Sequence, residues 1–297
     1  MRCARSKLLS FIASGLACLT FALPTAAEQI KLPNGAELHV REAGSGPRTI
    51  VLIHGWSLSS DLWTKVLATP PAGFRLLAYD IRGFGDSSKP PEGYDYKALV
   101  EDLHQLLDAK GVDRAVLAGH SLGSFFIQDF AAAHPNRVEA LVLTSPQPRT
   151  MQLSISPPIQ KLIEDVGPDK DRRSFFTTNT PRYFAPNALS AGDLEAFLTV
   201  NMKAAPQALQ GTMQTAFTAA PLPLESFRSG QIPALVIVGS HDIVPLSVVQ
   251  RITSDMPGSC AAVIARAGHS SPWEKPEAWL QEVTAYLGPS GPVTRCP

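Results

Sequence analysis

Three side chains at distant points of the chain have the types and the order needed to activate a hydroxyl group: Ser121, Asp242 and His269. A serine is a weak nucleophile unless a neighbouring base takes its proton, and the base needs a carboxylate to orient its ring. The order serine, acid, histidine is the one that accompanies a G-x-S-x-G turn. The sequence therefore predicts acyl transfer, with Ser121 as nucleophile, Asp242 as acid and His269 as base.

Ser121 is the central residue of the motif G-H-S-L-G at positions 119–123. The apolar run 115–118 before the motif predicts a strand, and the segment 124–134 after it predicts a helix. This order fits a nucleophile elbow, the sharp turn that lifts a serine hydroxyl above the edge of a sheet. We expect a strained backbone at Ser121, with flanking glycines that relieve crowding or adopt positive φ. The N–H of Leu122 would then point toward the negative charge that develops on the substrate's carbonyl oxygen.

Asp242 and His269 each follow a predicted strand, over residues 234–239 and 260–264 respectively. The carboxyl ends of parallel strands meet at one edge of a sheet, so we expect both residues to lie near Ser121. Two simpler interpretations stand beside this one. Asp242 would serve as a cap for a helix beginning near Pro245, and His269 would be an ordinary loop histidine. The occurrence of all three residues in the required order favours the catalytic interpretation.

A second backbone donor for an oxyanion is expected at Trp56, after the predicted strand 49–53 and the pair His54-Gly55. Gly55 would let the loop pass close to a bound carbonyl, and the N–H of Trp56 would act together with that of Leu122. One such donor is worth about 3 kcal/mol in the barrier. We expect His54 to hydrogen-bond beneath this loop, and the indole of Trp56 to line an acyl pocket.

Together these motifs resemble the α/β-hydrolases that use a serine nucleophile. The resemblance extends from about residue 35 to 287 and rests on the runs H-G-W at 54–56, Y-D-I-R-G-F-G-D-S at 79–87, the elbow, G-S-H-D at 239–242 and G-H at 268–269. It implies the catalytic and oxyanion roles given above, and it implies no cofactor. The H-G-W and R-G-F-G-D-S runs also resemble the esterase and cofactor-free haloperoxidase (perhydrolase) branch. Epoxide hydrolases and haloalkane dehalogenases fit less well, because they carry aspartate where this chain has Ser121.

Apolar strands alternate with amphipathic helices, which predicts an α/β fold with a mainly parallel sheet covered by helices on both faces. The eight predicted strands are 29–32 and 37–42, which form an antiparallel hairpin, 49–53, 74–79, 115–118, 140–143, 234–238 and 260–264. Predicted helices outside the insertion described next lie near Leu62 and at 96–110, 124–134, 247–256 and 276–287.

The alternation is interrupted at residues 146–232, where prolines separate short helical segments at 158–166, 171–177, 190–203 and 207–219. We predict a helical cap here, inserted into a core of residues 28–145 and 233–297. Most apolar cap side chains are expected to attach the cap to the core, and two or three of them to contact substrate. The candidates are Phe175, Phe176, Tyr183, Phe184, Phe197, Met202, Met213 and Phe217. The predicted pocket comprises Trp56, His120, Tyr183, Phe184 and Phe217.

Residues 1–27 have the pattern of a secretory signal peptide: a positive start, an apolar run over 8–23 and small residues before Glu28. The run is shorter than the roughly 20 residues of a spanning helix. We therefore expect an exported protein, periplasmic or secreted, with no stable membrane insertion after signal removal. The alternative is a buried N-terminal helix.

Signal removal would leave two cysteines, Cys260 and Cys296. An even pair in an exported chain suggests one disulfide, which would tether the C-terminal tail to the last strand. Two free thiols are the alternative. No metal site is expected, because two cysteines without nearby histidines make a poor ligand set.

The charge balance argues against a polyanionic partner: 26 basic and 26 acidic residues give a formal net charge of zero. Nucleic-acid binding is therefore not expected. The sequence predicts an exported serine hydrolase that acts on a small, mostly apolar ester, and it leaves the oligomeric state open. Lactone opening, carbon–carbon bond hydrolysis and peracid formation are alternatives that use the same triad. A catalytically silent binding protein on the same fold is the alternative from another class.

Overall fold

The computed structural model describes residues 27–228, 232–256 and 258–288, which form one sheet of eight strands. The strands are β1 (Ala27–Lys31), β2 (Glu37–Gly44), β3 (Arg48–Ile53), β4 (Phe74–Tyr79), β5 (Ala115–His120), β6 (Val138–Thr144), β7 (Ala234–Gly239) and β8 (Cys260–Ile264). Their spatial order is β1-β2-β4-β3-β5-β6-β7-β8. The pairs β1–β2 and β2–β4 are antiparallel and all others are parallel. The predicted fold class is confirmed.

Eleven α-helices and three short 3-10 turns connect these strands within the described residues. The helices are α1 (Thr64–Leu67), α2 (Tyr96–Ala109), α3 (Leu122–Ala133), α4 (Pro157–Asp165), α5 (Arg172–Asn179), α6 (Ala191–Lys203), α7 (Pro206–Thr218), α8 (Glu225–Arg228), α9 (Leu246–Asp255), α10 (Ser271–Glu274) and α11 (Pro276–Leu287). The 3-10 turns are Ser60–Trp63, Pro135–Arg137 and Thr180–Tyr183. The helix predicted near Leu62 is the first of these turns, which runs directly into α1.

The central strands are buried on both sides, so each contributes side chains to two separate cores. In β3, Val51 and Ile53 belong to one core, and Ile50 and Leu52 belong to the other. This division follows from the alternation of side chains along a strand. Helices α2, α3 and α9 pack over the first core, and α1 and α11 over the second. Helices therefore cover both faces of the sheet and leave its carboxyl edge as the place for a site.

The segment between β6 and β7 contains α4 to α8, as the proline-separated pattern predicts. Helix α6 begins with a capping box, in which the side chain of Ser190 accepts from the N–H of Asp193 and the carboxylate of Asp193 accepts from the N–H of Ser190. Prolines occupy the first turn of both α4 and α7, where the missing N–H costs nothing. Short helices packed in pairs, α4 with α7 and α5 with α6, build this segment.

Two expectations fall largely on residues outside those that the structure describes. The predicted signal peptide, 1–27, lies outside them except for Ala27, which begins β1. Cys260 is buried on β8, but Cys296 lies outside the described residues, so their pairing stays a prediction. Among the described helices, none has the length and apolar character that a membrane crossing requires.

Candidate active site

Ser121 lies at the turn between β5 and α3, with φ 48° and ψ −115°. Positive φ in a residue with a Cβ is strained, and the surrounding structure must hold it in place. The N–H of Ser121 donates to the carbonyl of Thr144 at 2.9 Å, which secures the turn to β6. A Cβ on Gly119 would lie 2.6 Å from the carbonyl oxygen of Gly123. Neither of these glycines has positive φ, so they serve close packing while Ser121 itself takes the strained conformation.

His269 and Asp242 are directly hydrogen-bonded: His269 Nδ1 lies 2.8 Å from Asp242 Oδ1. An ionised carboxylate only accepts, so Nδ1 carries the proton and Nε2 is left as the basic nitrogen. Both side chains are buried, and His269 lines the same cavity as Ser121. Burial raises the pKa of Asp242, but hydrogen bonds from His269, Ser145 and the N–H of Val244 outweigh it and lower the net pKa. The acid is therefore held ionised beside the base.

Ser145, directly after β6, is a component of the site that sequence analysis missed. Its Oγ lies 2.6 Å from Asp242 Oδ2 and 2.9 Å from the carbonyl oxygen of His269. The single hydroxyl proton goes to the charged partner at the shorter distance. Ser145 also has positive φ, 52°. Its position at the carboxyl end of a strand next to β5 was the one available signal for it.

His120, next to the nucleophile, supports the site and is not a base. Its Nε2 donates to the carbonyl oxygen of His269 at 2.9 Å. Complete burial, followed by the proximity of His269, lowers the pKa of His120 to about 3, so its ring is neutral. The other ring nitrogen, Nδ1, is buried and has no hydrogen-bond partner among the described residues. A Cβ added to Gly55 would lie 2.5 Å from it.

The loop after β3 lies against Ser121, as the predicted oxyanion hole requires. A Cβ on Gly55 would come within 3.2 Å of the Ser121 Cβ, so the backbone that leads to Trp56 passes beside the nucleophile. The N–H of Leu122 belongs to the first turn of α3, where backbone donors have no partner within the helix. The two predicted donors, Trp56 and Leu122, thus flank Ser121. Both residues also line the cavity.

His54 holds the start of this loop in place through hydrogen bonds at both of its ring nitrogens. The N–H of Ile81 donates to His54 Nε2 at 2.9 Å, so Nδ1 carries the proton and donates to the carbonyl of Gly55 at 2.7 Å. Burial lowers the pKa of His54, which keeps this arrangement neutral. On the cap side, Trp56 Nε1 donates to the carbonyl of Leu209 on α7 at 2.9 Å. The loop is therefore held from both the core and the cap.

Asp80, directly after β4, fixes two loops through hydrogen bonds to their backbone. Its two carboxylate oxygens accept from the N–H groups of Ser60 at 2.6 Å and Asp86 at 2.7 Å. His39, Asp80 and Asp86 place atoms that can bind metal within 4.8 Å of one another. Because both Asp80 oxygens already bind backbone amides, loop structure accounts for this cluster.

A cavity of about 340 Å³ lies between the sheet edge and the cap, and Ser121 and His269 both line it. All five predicted pocket residues, Trp56, His120, Tyr183, Phe184 and Phe217, contribute to its wall. No Asp, Glu, Lys or Arg side chain of the described residues contributes. The expectation that only two or three apolar cap side chains reach the pocket is wrong. Seven of the eight named candidates line it, and only Met202 is exposed elsewhere. Aromatic side chains dominate the cap side of the cavity because α4, α5, α6 and α7 each direct apolar side chains into the same space.

The cap is hydrogen-bonded to the loop that carries His269, the candidate base. The N–H of Ser270 donates to the carbonyl of Tyr183 at 3.1 Å. The Glu274 carboxylate accepts from the N–H of Ala185 in the cap and from that of Gly268 in the loop, each at 2.9 Å. Burial raises the pKa of Glu274, although these two hydrogen bonds oppose the change. No sequence pattern indicated this bridge, because its partners are distant along the chain.

Residues 48–276 match the family described as alpha/beta hydrolase fold. The chain is 31% identical over 257 residues to a Synechocystis sp. protein provisionally named a non-heme chloroperoxidase, with 80% of this chain and 90% of that protein covered. It is 28% identical over 281 residues to a soluble epoxide hydrolase of Corynebacterium sp., with 86% and 95% covered. A hydrolase structure from Pseudomonas aeruginosa superposes with a TM-score of 0.77 at 28% identity, covering 88% of this chain and 98% of that one.

The fold and the site define a hydrolase with a serine on a nucleophile elbow and a histidine–aspartate pair beside it. The chain belongs to the alpha/beta hydrolase family, and its similarity to a chloroperoxidase-named relative places it near the non-heme haloperoxidase-like branch.

Proposed function

We propose that this protein is a serine hydrolase that cleaves small, mostly apolar carboxylic esters through an acyl-enzyme. One observation carries the proposal: Ser121 and the hydrogen-bonded pair His269–Asp242 open onto an apolar cavity without charged side chains among the described residues. Such a cavity favours neutral substrates, because a charged group entering it would lose its hydration without gaining a partner.

The proposed reaction assigns a role to each of these groups. His269 Nε2 takes the proton of Ser121 as Oγ attacks the ester carbonyl, and Asp242 stabilises the imidazolium. The N–H groups of Trp56 and Leu122 stabilise the oxyanion. His269 then gives the proton to the departing alcohol. In the second half of the reaction, His269 takes a proton from the water that attacks the acyl carbonyl. His269 then returns this proton to Ser121 Oγ as the bond between Oγ and the acyl group breaks and the acid leaves.

The direct test is Ser121→Ala assayed with p-nitrophenyl butyrate. Turnover should fall to the background of the buffer, because the acyl acceptor is gone. Ser254→Ala, at an exposed position on α9 away from the cavity, serves as the matched control and should retain full activity. Full activity of the Ser121→Ala variant would remove the covalent mechanism, and binding of esters without turnover by the wild-type protein would favour a binding function.

Peracid formation is a second candidate, favoured by the relative named as a chloroperoxidase. Hydrogen peroxide would replace water in the second half of the reaction and leave with the acyl group as a peracid. With acetate, peroxide and bromide present, the peracid should oxidise bromide to hypobromite and support bromination of a dye, and Ser121→Ala should abolish this activity. Epoxide hydrolysis is less well supported despite the epoxide hydrolase relative, because the elbow residue is Ser121 and not aspartate.

Export is proposed on the pattern of residues 1–27. Expression of the full chain should give a periplasmic or secreted product that begins near Glu28, as read by N-terminal sequencing. A cytoplasmic product that retains residue 1 would contradict the proposal.

A further inference from the structure

A second cavity, also of about 340 Å³, adjoins the active-site cavity on the far side of α6. Leu58 and Phe197 line both cavities, so their side chains form the wall between the two. We call this pair the partition. Nothing in the mechanism above uses the second cavity.

The Phe197 ring stands between one aromatic ring of each cavity. Its centroid lies 4.9 Å from that of Phe184, which lines the active-site cavity. It lies 5.0 Å from that of Trp273, which lines the second cavity. Phe197 is itself buried, and both ring pairs are edge-on, the favourable arrangement for aromatic contacts. The partition is therefore a packed wall and not a loose side chain.

The two cavities differ in polarity. The active-site cavity has no charged side chain among the described residues, whereas Asp61 and Lys203 stand on the wall of the second. Both of these side chains are well exposed, and Lys203 pairs with Asp86 on the surface. The apolar part of the second cavity's lining includes Leu62, Trp273 and the partition. The alkyl chain of a substrate bound at Ser121 would fill this second cavity if the chain could reach it.

We propose that the partition sets the chain length of the substrate, by stopping an alkyl chain at the end of the active-site cavity. The inference rests on the proposed ester hydrolysis and names its specificity-determining residues, Phe197 and Leu58. The substrates of the wild-type protein are then esters whose chain ends within the first cavity. Removing either side chain joins the cavities and admits longer chains.

The test compares p-nitrophenyl butyrate, octanoate, laurate and palmitate, and in parallel butyrate esters of alcohols of matching lengths. For the wild-type protein, kcat/KM should fall once the substrate chain is longer than the active-site cavity can hold. In Phe197→Ala, the laurate-to-butyrate ratio of kcat/KM should rise about tenfold or more in one of the two series, because two or more methylenes gain a buried site. Leu58→Ala opens the same wall from the other side and should move the ratio in the same direction.

Val200→Ala is the matched control, since Val200 lines only the second cavity and its truncation leaves the partition in place. Its laurate-to-butyrate ratio should equal that of the wild-type protein. Thermal unfolding of each variant identifies any that fail to fold, and the two partition variants test the wall independently. If the wild-type protein hydrolyses butyrate but neither partition variant changes the ratio in either series, this inference is wrong and the proposed function stands. If no ester of the panel is hydrolysed by the wild-type protein, the proposed function falls and the partition's role falls with it.

Discussion

The two walls of the active-site cavity are held by different forces. On the sheet side, hydrogen bonds orient two of the three candidate catalytic side chains: Asp242 holds His269, and Ser145 holds Asp242. On the cap side, aromatic packing dominates, as in the contacts of Phe197 with Phe184 and Trp273. Hydrogen bonds fix direction and protonation, whereas apolar contacts fix volume. Under the proposed function, the sheet edge therefore carries out the chemistry and the cap selects the substrate.

The largest expected effect comes from the sheet wall. Asp242→Asn should lower kcat by about 10⁴-fold, because an amide cannot hold His269 in the tautomer that leaves Nε2 basic. KM should change far less, since the cap wall is untouched. The measurement is steady-state kinetics on p-nitrophenyl butyrate, with Asp108→Asn at an exposed position of α2 as control. A loss of less than tenfold would show that the hydrogen bond at Asp242 does not control the base.

Because buried His120 is neutral, we expect the unfolding free energy to depend on pH through this residue of the sheet wall. The folded pKa of His120 is about 3, below the unfolded value near 6.5, so its contribution is complete above pH 6.5 and declines as the pH falls toward 3. Between pH 7.5 and 5, the unfolded chain takes up a proton that folded His120 does not. The wild-type protein should therefore lose about 2 kcal/mol more unfolding free energy than His120→Gln over this interval.

Urea denaturation of both proteins at the two pH values measures this difference directly. The amide side chain introduced by His120→Gln would keep an N–H donor for the carbonyl of His269, so the variant tests titration more than packing. Equal losses of unfolding free energy in the two proteins would contradict the neutral buried His120.

Ser145→Ala tests the sheet wall at a residue that lines the cavity and hydrogen-bonds to Asp242. Loss of its hydrogen bond to Asp242 raises the pKa of that carboxyl and strengthens the pairing with protonated His269. The acid limb of the kcat/KM profile should move to higher pH, and activity at neutral pH should fall about tenfold. Ser145→Thr keeps the hydroxyl and should restore the wild-type limb. An unshifted limb in Ser145→Ala would assign this residue a purely structural role.

The smallest effect is expected for a substitution on the cap wall that leaves the partition intact. Phe217 is half-buried on α7 and lines the cavity, so Phe217→Ala removes apolar contact without altering a catalytic hydrogen bond. KM for p-nitrophenyl butyrate should rise about threefold, as expected for partial loss of one aromatic contact, and kcat should be unchanged. A large fall in kcat with constant KM would mean that the cap also positions the chemistry.

Apolar runs predicted the central strands, such as β3, β5 and β7, because a strand buried on both faces leaves little choice of residue. Boundaries were less well predicted where a charge enters a strand. The strand predicted at 140–143 begins at Val138 in the structure, because Glu139 forms an ion pair with Arg48 and is accommodated within β6. The four-residue helix α10 was not predicted, since so short an element leaves no periodic pattern.

The residues of the candidate site likewise fall into those that the sequence predicted and those that it did not. Motif residues such as Ser121 and Trp56 were predicted because their local turns constrain the sequence around them. Ser145 and Glu274 were missed because their roles arise only when distant segments meet: Ser145 contacts Asp242, 97 positions further on. The number of aromatic side chains at the pocket was underestimated, because helix faces show which residues are apolar but not which space they share.

The most direct test of the account is covalent labelling with a fluorophosphonate, followed by peptide mass spectrometry. The wild-type protein should gain one adduct, on Ser121, at a rate that falls sharply in Asp242→Asn and in His269→Ala while both variants remain folded. An adduct on another residue, or labelling of Ser121 at the wild-type rate in both variants, would contradict the claim that this serine is activated by the histidine–aspartate pair.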